Sequence, residues 1–301
     1  MDKNSKYLIV VLGPTAIGKT AFAIRLAQYY NAEIISADSR QFYHEMRIGT
    51  AYPDPEELAA AKHHFVGNLS IGDTYNVARY EEEVLALLDT LYEKQDVAIL
   101  SGGSGLYIDA VCKGIDDLPD HDPKLRQSLK EEMKRIGLGA FAEKLKLLDP
   151  EYYEVVDLNN PNRLLRAVEV CLQTGSTYTA LRKNTNKPRP FRMIKVGLNT
   201  ERDILFDRIA ERVDRMMEKG LLEEVKKLLP YRDHNALNTV GYKELIAHLD
   251  GAVSLELAVE KIKTNTRRYA KRQLTWFKRD EEIRWFEPTD LSGVIEWISS
   301  L

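Results

Sequence analysis

The sequence contains little cysteine and no long apolar run, and both shortages exclude whole classes of protein. Only Cys112 and Cys171 occur among its 301 residues, without C-x-x-C spacing, so neither a disulfide framework nor a zinc site is expected. No apolar stretch approaches the roughly 20 residues that cross a bilayer, and the start leads straight into a strand pattern, which predicts no membrane span and no leader. The six histidines show no metal-ligand spacing. These absences favour a soluble protein of a reducing, cytoplasmic compartment.

Charge is nearly balanced overall but unevenly distributed along the chain. The formal net charge of −3 by itself argues against a nucleic-acid partner. Residues 261–280, however, carry eight basic side chains and one acid, and residues 182–192 carry five basic side chains and no acid. Such clusters can contact a phosphate backbone, although a basic segment can equally be the solvated face of a helix. Charge therefore permits a nucleic-acid partner without requiring one.

The most informative feature is a complete G-x-x-x-x-G-K-T phosphate loop. It follows the apolar run 7–12, typical of a strand, and leads into a helical pattern at 21–27. In such a loop, successive backbone N–H groups point at one anion and the helix N-terminus adds partial positive charge. The predicted phosphate-binding residues are Gly13, Pro14, Thr15, Ala16, Ile17, Gly18, Lys19 and Thr20. Lys19 would bring a full charge to the phosphate oxygens, and the Thr20 hydroxyl could hold Mg²⁺.

The order of strand and helix patterns predicts an α/β fold. Strand patterns at 33–37 and 97–100 alternate with helical spacing at 77–93, which indicates a parallel sheet. Residues 117–190 show helical patterns only, and strand character returns at 194–198. We therefore predict a P-loop NTPase-like parallel sheet core with an all-helical insertion domain.

The same patterns predict where the domains meet and where the site lies. The catalytic core is expected to comprise residues 1–116 and 191–301, and the insertion the residues between them. A long helix is expected to begin with a capping pair, Thr200 and Asp203. Three loops follow predicted strands, at 13–20, 38–41 and 101–105. Because ligands bind at the carboxyl ends of parallel strands, these loops should converge on one cleft.

Eight signatures, the phosphate loop among them, are spread nearly end to end and form a more specific combination than the loop alone. They are GPTAIGKT at 13–20, ISADSRQFY at 35–43, IGTAYP at 48–53, SGGSGLY at 101–107, NPNRLLRAVEV at 160–170, RIAERVDRMMEKGLLEEV at 208–225, TVGYKEL at 239–245 and TRRYAKRQLTWF at 266–277. In this combination the chain resembles the bacterial tRNA dimethylallyltransferases, or tRNA isopentenyltransferases. The resemblance implies transfer of the dimethylallyl group of dimethylallyl diphosphate to the exocyclic N6 amine of the adenosine 3′-adjacent to the anticodon in tRNA, with diphosphate as leaving group.

The resemblance also implies roles for the residues after the second strand. Asp38 is the general base that orients the adenine amine and takes its proton, although an N-cap or a Mg²⁺-positioning aspartate is the alternative. Ser39, Arg40 and Gln41 fall in the stretch that this family uses to hold tRNA, and their donors could fix a splayed base. Ser104 is expected near the adenine or the diphosphate, with a simple turn serine as the competing interpretation.

Two arginines one helical turn apart, Arg208 and Arg212, complete the implied diphosphate site. The planar guanidinium suits an oxygen-rich leaving group, and the match is firmer for Arg212 than for Arg208. Ion pairs with Asp207 or Glu211 on a solvated helix are the alternative for both. The predicted catalytic residues are thus Asp38, Thr20, Lys19 and Arg212.

The resemblance implies that other segments also bind tRNA. Arg163 and Arg166 match a second tRNA-contacting stretch, and Lys243 occupies a position where the family often has arginine, so that it keeps the charge but loses bidentate geometry. Tyr269, Trp276 and Phe277 could stack on bases, but their helical spacing is more typical of a core.

The implied partners are the tRNA anticodon stem–loop and dimethylallyl diphosphate, with Mg²⁺ as the only cofactor and a monomer as the expected state. Because a stacked loop hides the adenine amine, the insertion is expected to swing across the anticodon stem and hold the base unstacked.

Two alternatives stay open, a small-molecule or nucleotide kinase on the same loop and a nucleotide-driven RNA-binding switch. The kinase would need a second acid beside the Mg²⁺. The strand pattern at 97–100 ends in Ser101-Gly102-Gly103 rather than in an acid, which disfavours a hydrolase or a motor.

Overall fold

Six strands form one parallel sheet in the part of the chain that the structure describes. The computed structural model describes residues 5–183 and 186–301; residues 1–4 of the predicted core and 184–185 of the basic segment 182–192 lie outside this part of the chain. The strands are β1 (Tyr7–Leu12), β2 (Ile34–Ser36), β3 (His63–His64), β4 (Val97–Gly102), β5 (Arg192–Leu198) and β6 (Arg284–Phe286). Their order is β3-β2-β4-β1-β5-β6, and every pair is parallel, as the sequence predicts.

The central strand, β1, shows why the sheet carries a core on each face. All six of its residues are buried and apolar. Because side chains alternate along a strand, Leu8 and Val10 pack into one core while Ile9 and Val11 pack into the other. The carboxyl end of β1 pairs with β4 on one side and β5 on the other. The loops that leave these strands therefore start from one edge of the sheet.

Helices account for most of the remaining described residues. They are α1 (Lys19–Tyr30), α2 (Pro55–Ala60), α3 (Val77–Tyr92), α4 (Gly105–Lys113), α5 (Pro123–Ile136), α6 (Leu138–Leu148), α7 (Pro150–Val155), α8 (Pro161–Thr174), α9 (Tyr178–Leu181), α10 (Arg202–Glu218), α11 (Leu221–Leu228), α12 (Tyr242–Leu249), α13 (Leu255–Phe277) and α14 (Leu291–Ser299), with short 3₁₀ turns at Leu229–Tyr231 and Asn235–Leu237. None of the helices in the described ranges combines the length and the apolar character needed to cross a bilayer.

The chain divides into two compact units. The sheet unit comprises Met1–Cys112 and Arg189–Leu301, and the helical unit comprises Lys113–Pro188. The sequence placed the corresponding boundaries at 116/117 and 190/191. Within the helical unit, residues such as Phe141 and Leu164 form a separate apolar core. Each unit thus has its own buried interior.

The predicted capping pair of α10 is wrong by one residue. Glu201 is the N-cap and makes no side-chain cap hydrogen bond. With the helix starting at Arg202, Asp203 occupies the second helical position rather than the third, so it cannot complete a capping box with Thr200. Asp203 still lies in the first turn, where its charge is favourable to the helix dipole.

Candidate active site

The phosphate loop adopts a conformation that depends on its glycines. Gly13 has a φ of +150°, and a Cβ on it would lie 2.4 Å from the backbone oxygen of Leu198 at the end of β5. Gly18 has a φ of +100° and precedes α1, in which the Phe22 N–H donates to the Gly18 carbonyl. The loop is therefore pressed against a strand at one end and joins a helix N-terminus at the other, an arrangement that binds anions.

Lys19 lies in the first turn of α1 and reaches back over the loop. Its Nζ donates to the Gly13 carbonyl at 3.1 Å and to the Pro14 carbonyl at 2.7 Å. Burial lowers the pKa of Lys19 to about 7; the carboxylate of Asp38 opposes that shift, and the guanidinium of Arg212 adds to it. Lys19 thus exchanges its proton near neutral pH, and an anion bound at the loop would favour its charged form.

Asp38 lies two residues beyond the end of β2, facing the larger cavity described below. Its Oδ1 accepts the N–H of Arg40 at 3.0 Å, which is a local side-chain turn. Residues 39–42 form turns and the next helix begins only at Pro55, so Asp38 does not cap a helix. The carboxylate is consequently available to the cavity rather than committed to a helix end.

Ser104 joins the glycine-rich turn at 101–105, the second glycine turn of the site, to the segment that carries Asp38. Its Oγ accepts the Ser39 N–H at 3.0 Å, and its own N–H donates to the Ala37 carbonyl at 3.1 Å. Burial and the charge of Asp38 raise the pKa of Tyr269 on α13 to about 12, while a hydrogen bond with Ser104 opposes that shift. Ser104 therefore contacts both the segment after β2 and helix α13, and is more than an isolated turn serine.

Arg40 and Gln41 are engaged with backbone carbonyls. The Arg40 Nη1 donates to the Asn235 carbonyl at 2.9 Å. The Gln41 Nε2 donates to the carbonyls of Thr50 at 3.3 Å and Ala51 at 3.0 Å. Gln41 therefore holds the loop that contains the IGTAYP segment, whereas the guanidinium of Arg40 has further N–H groups to offer a ligand.

Helix α10 brings Arg208 and Arg212 to the phosphate loop. Burial lowers the pKa of Arg212, and the charge of Asp38 opposes this shift. The group stays cationic at physiological pH because an arginine cannot be deprotonated in proteins. The Arg208 Nη1 donates to the Ile17 carbonyl of the loop at 3.3 Å. Within the described ranges, neither arginine forms an ion pair with an acid of its own helix.

Two adjoining cavities of about 560 Å³ and about 340 Å³ lie above this edge of the sheet. The larger is lined by residues of all three predicted loops, including Thr15, Ala16, Gly18, Lys19, Thr20, Asp38, Gln41, Ser101 and Gly102. The smaller is lined by Ser39, Arg40, Lys243, Tyr269 and Arg272 among others. Both cavities share Thr15, Asp38, Thr50, Arg212 and Met216. The convergence of the three loops is confirmed, with Asp38 and Arg212 at the junction.

Sequence reasoning missed Gln273 of α13, which lines the larger cavity and is 5% exposed. It lies inside the TRRYAKRQLTWF segment at 266–277, but by helical spacing alone it is one polar residue in a basic helix. Tyr269, for which a core position was favoured, lines the smaller cavity. Phe277 is buried in the core, and the Trp276 indole donates to Asp109 at 2.9 Å.

The loop that follows Asp38 is bound by a carboxylate that the sequence analysis did not single out. Glu224 of α11 accepts the successive N–H groups of residues 47, 48 and 49 at 3.0, 2.8 and 3.0 Å, together with the Tyr242 hydroxyl at 2.7 Å. The same Tyr242 ring packs where a Cβ on Gly49 would lie, 2.5 Å away. Glu224 therefore stabilises the wall that Thr50 contributes to both cavities.

The helical unit contains the other two arginines predicted to contact tRNA. Arg163 is exposed near the start of α8. Arg166 is partly buried and donates to the Pro119 carbonyl at 2.6 Å and to buried Glu169 at 3.2 Å, which also receives Arg126 at 2.7 Å. Arg166 therefore stabilises its own unit in this structure, whereas Arg163 is open to solvent.

No group of three or more His, Cys, Asp or Glu side chains within residues 5–183 and 186–301 is arranged to hold a metal ion. Two oxygen donors that line the larger cavity are the Thr20 hydroxyl and the Asp38 carboxylate. Oxygen donors of this kind suit Mg²⁺, which commonly completes its coordination with water and substrate phosphates.

Comparison with known sequences places this site in a family. Residues 41–280 match the IPP transferase family. The chain is 51% identical over 294 residues to tRNA dimethylallyltransferase 1 of Phocaeicola vulgatus, covering 98% of each protein. It is 50% identical over 291 residues to tRNA dimethylallyltransferase 1 of Bacteroides thetaiotaomicron, covering 97% of this chain and 94% of the relative.

Solved structures give the same result. The full-length tRNA isopentenylpyrophosphate transferase from Bacillus halodurans matches with a TM-score of 0.72 at 36% identity, covering 98% of this chain and 96% of the other. A eukaryotic dimethylallyltransferase acting on tRNA matches with a TM-score of 0.79 at 28% identity, covering 96% of this chain and 75% of the other.

Proposed function

This chain belongs to the IPP transferase family, and we propose that it transfers the dimethylallyl group of dimethylallyl diphosphate to the N6 amine of the adenosine 3′-adjacent to the anticodon in tRNA. The bond between the allylic carbon and the diphosphate oxygen breaks, a carbon–nitrogen bond forms, and the amine loses a proton. The supporting observation is that Asp38 and Arg212 line both cavities, so that a donor in one and an acceptor in the other would meet between them.

The larger cavity is the donor side. Backbone N–H groups of the phosphate loop and the N-terminus of α1 bind the diphosphate, and Lys19 and Arg212 supply full positive charges. Arg208 braces the loop through the Ile17 carbonyl and adds its charge nearby. Because negative charge grows on the diphosphate as the carbon–oxygen bond breaks, these groups stabilise the transition state more than the ground state.

The chemistry of the donor set fits a Mg²⁺ ion at this side. The Thr20 hydroxyl would hold it together with oxygens of the diphosphate. When bound, Mg²⁺ supplies further neutralisation of the leaving group. The residues of the chain orient and stabilise the diphosphate at the same place.

The smaller cavity is the acceptor side. An adenine taken out of the anticodon stack enters beside Tyr269, and Asp38 accepts a hydrogen bond from its amine and then its proton. The lone pair of that amine is delocalised into the ring, so its alignment by a carboxylate is needed for attack. Ser39, Arg40 and Lys243, which line this cavity, bind the RNA around the base. Gln41, from the wall of the larger cavity, and Ser104, which holds Ser39, contact the RNA beside them.

The helical unit binds the anticodon stem. Arg163, which is exposed on α8, contacts the RNA, and Arg166 joins it when the stem docks. The helical unit swings across the stem and holds the adenine unstacked. The protein acts as a cytoplasmic monomer.

The test is transfer of radiolabelled dimethylallyl from its diphosphate to unmodified tRNA by wild type, Asp38→Ala and Asp38→Asn. We expect labelled tRNA with wild type and a loss of at least about a hundredfold with both variants, given typical general-base contributions. Asp38→Asn keeps the shape and the hydrogen-bonding capacity but cannot take a proton. Unchanged transfer by both variants would remove Asp38 as the base, and no transfer by wild type with any tRNA would overturn the function.

A further inference from the structure

Gln273 is a buried side chain whose amide makes two hydrogen bonds with separate loops of the donor cavity. Its Oε1 accepts the Thr15 N–H of the phosphate loop at 2.8 Å, and its Nε2 donates to the Gly103 carbonyl of the second glycine turn at 2.8 Å. Gln273 is 5% exposed and lines the larger cavity. One helix side chain therefore links the loop that follows β1 to the loop that follows β4.

The space around this amide is shaped for it. A Cβ on Gly103 would lie 2.3 Å from the Gln273 Nε2, so no other residue type fits at that position without displacing the amide. A Cβ on Gly102 would lie 2.2 Å from the Ala37 carbonyl oxygen. The second glycine turn is thus wedged between the end of β2, which leads to Asp38, and the side chain of Gln273.

The same helix contacts the turn twice. One helical turn before Gln273, Tyr269 interacts with Ser104, whose Oγ accepts the Ser39 N–H beside Asp38. Residues four apart lie on one face of a helix, so both contacts come from one face of α13. Through these two contacts, helix α13 holds both the phosphate loop and the segment that carries Asp38.

We propose that Gln273 is a positioning residue for prenyl transfer, which sets the diphosphate-binding loop at the correct distance from Asp38. The proposal rests on the proposed function, because it concerns the alignment of donor and acceptor. It does not assign Gln273 a contact with either substrate. Its effect is on the rate of the chemical step, where a misplacement of about 1 Å can cost on the order of a hundredfold.

The contact with Thr15 gives the proposal a distinctive signature. Pro14 has no N–H, so the N–H of Thr15 is the first donor after Gly13, and Gln273 occupies it. Removal of the amide would free this N–H to donate to a diphosphate oxygen instead. Loss of Gln273 should therefore slow transfer without weakening diphosphate binding, whereas general collapse of the loop would impair both.

The experiment uses the full-length protein with Gln273→Met, which keeps the length and burial of the side chain but makes neither hydrogen bond. Gln28→Met is the matched control, because Gln28 is an exposed glutamine of α1 whose side chain donates to the Ala60 carbonyl at 3.3 Å. Single-turnover transfer is measured with saturating tRNA and donor, and inorganic diphosphate is titrated by calorimetry. We expect a rate loss of about ten- to a hundredfold in Gln273→Met with a diphosphate Kd unchanged within about twofold or tighter, and no change in the control.

Gly103→Ala tests the same bridge from its other end and is used if Gln273→Met does not fold. It should likewise slow transfer without weakening diphosphate binding, because its Cβ would displace the Gln273 amide. A rate loss below about threefold, or a parallel loss of rate and diphosphate affinity, would overturn the positioning role. Absence of transfer by the wild-type protein in the same assay would instead overturn the proposed function, so the two failures are distinguishable.

Discussion

Lys19 is expected to make diphosphate binding depend steeply on pH. Its pKa is about 7, against an ordinary value of 10.5, mainly because it is buried. Bound diphosphate favours the ammonium form, so binding above pH 7 requires the uptake of a proton. About half of Lys19 is charged at pH 7 and about 1% at pH 9, which weakens apparent binding roughly fiftyfold over that interval.

The assay is calorimetric titration of inorganic diphosphate from about pH 6 to about pH 9 at constant ionic strength, in two buffers with different heats of ionisation. Lys19→Arg is the control, because arginine stays charged throughout and its pH dependence reports only the protonation of diphosphate itself. We expect proton uptake and a steep rise of Kd in the wild type, and a much shallower rise in Lys19→Arg. Identical pH dependence in both proteins, or proton release on binding, would refute the reasoning.

Substitutions of Arg212 and of Glu224 test other parts of the site. Arg212→Met should lower the rate of transfer by about a hundred- to a thousandfold in single-turnover kinetics, because it removes the positive charge that we propose stabilises the leaving group. Arg212→Lys should recover part of that loss, because it restores the charge. An equal loss in both variants would contradict a role for charge. Glu224→Ala should lower the free energy of unfolding in urea by about 2 kcal/mol, because three backbone N–H groups lose a charged acceptor. Glu223→Ala is the control, because the neighbouring Glu223 is exposed and pairs with Lys226 at 2.7 Å. It should change the free energy of unfolding by no more than about 0.5 kcal/mol. Equal effects of the two substitutions would refute the role of Glu224.

The features that the sequence predicted correctly are those that a short stretch of chain encodes. Apolar runs gave β1, β4 and β5, because a parallel strand buried on both faces leaves a nearly continuous apolar signature. Gly13 and Gly18 marked a loop whose backbone requires positive φ. The strand-end position of Asp38 followed from the parallel sheet, in which such residues face one cleft.

The edge strands β3 and β6 lack such local signals, and the sequence did not predict them. β3 consists of two half-buried histidines, His63 and His64, and β6 begins at the exposed Arg284, so neither presents the buried apolar run that marked β2, which itself has only three residues. Their strand character comes from pairing with β2 and β5, which supply the hydrogen-bonding partners. A sequence pattern could not predict them, because it records periodicity within a segment and not the segment that lies beside it.

The sequence by itself determined the phosphate loop, the parallel sheet that carries it, the helical insertion and, through resemblance, the family. Only the tertiary structure decided how the site is held together. Gln273 contacts Thr15 across 258 positions of the chain, and Glu224 contacts the 47–49 loop across about 176. Local propensity fixes backbone conformation over a few residues, whereas such contacts exist only after packing brings distant elements together. The sequence therefore indicated the residues that we propose bind phosphate, but it did not indicate the residues that position them.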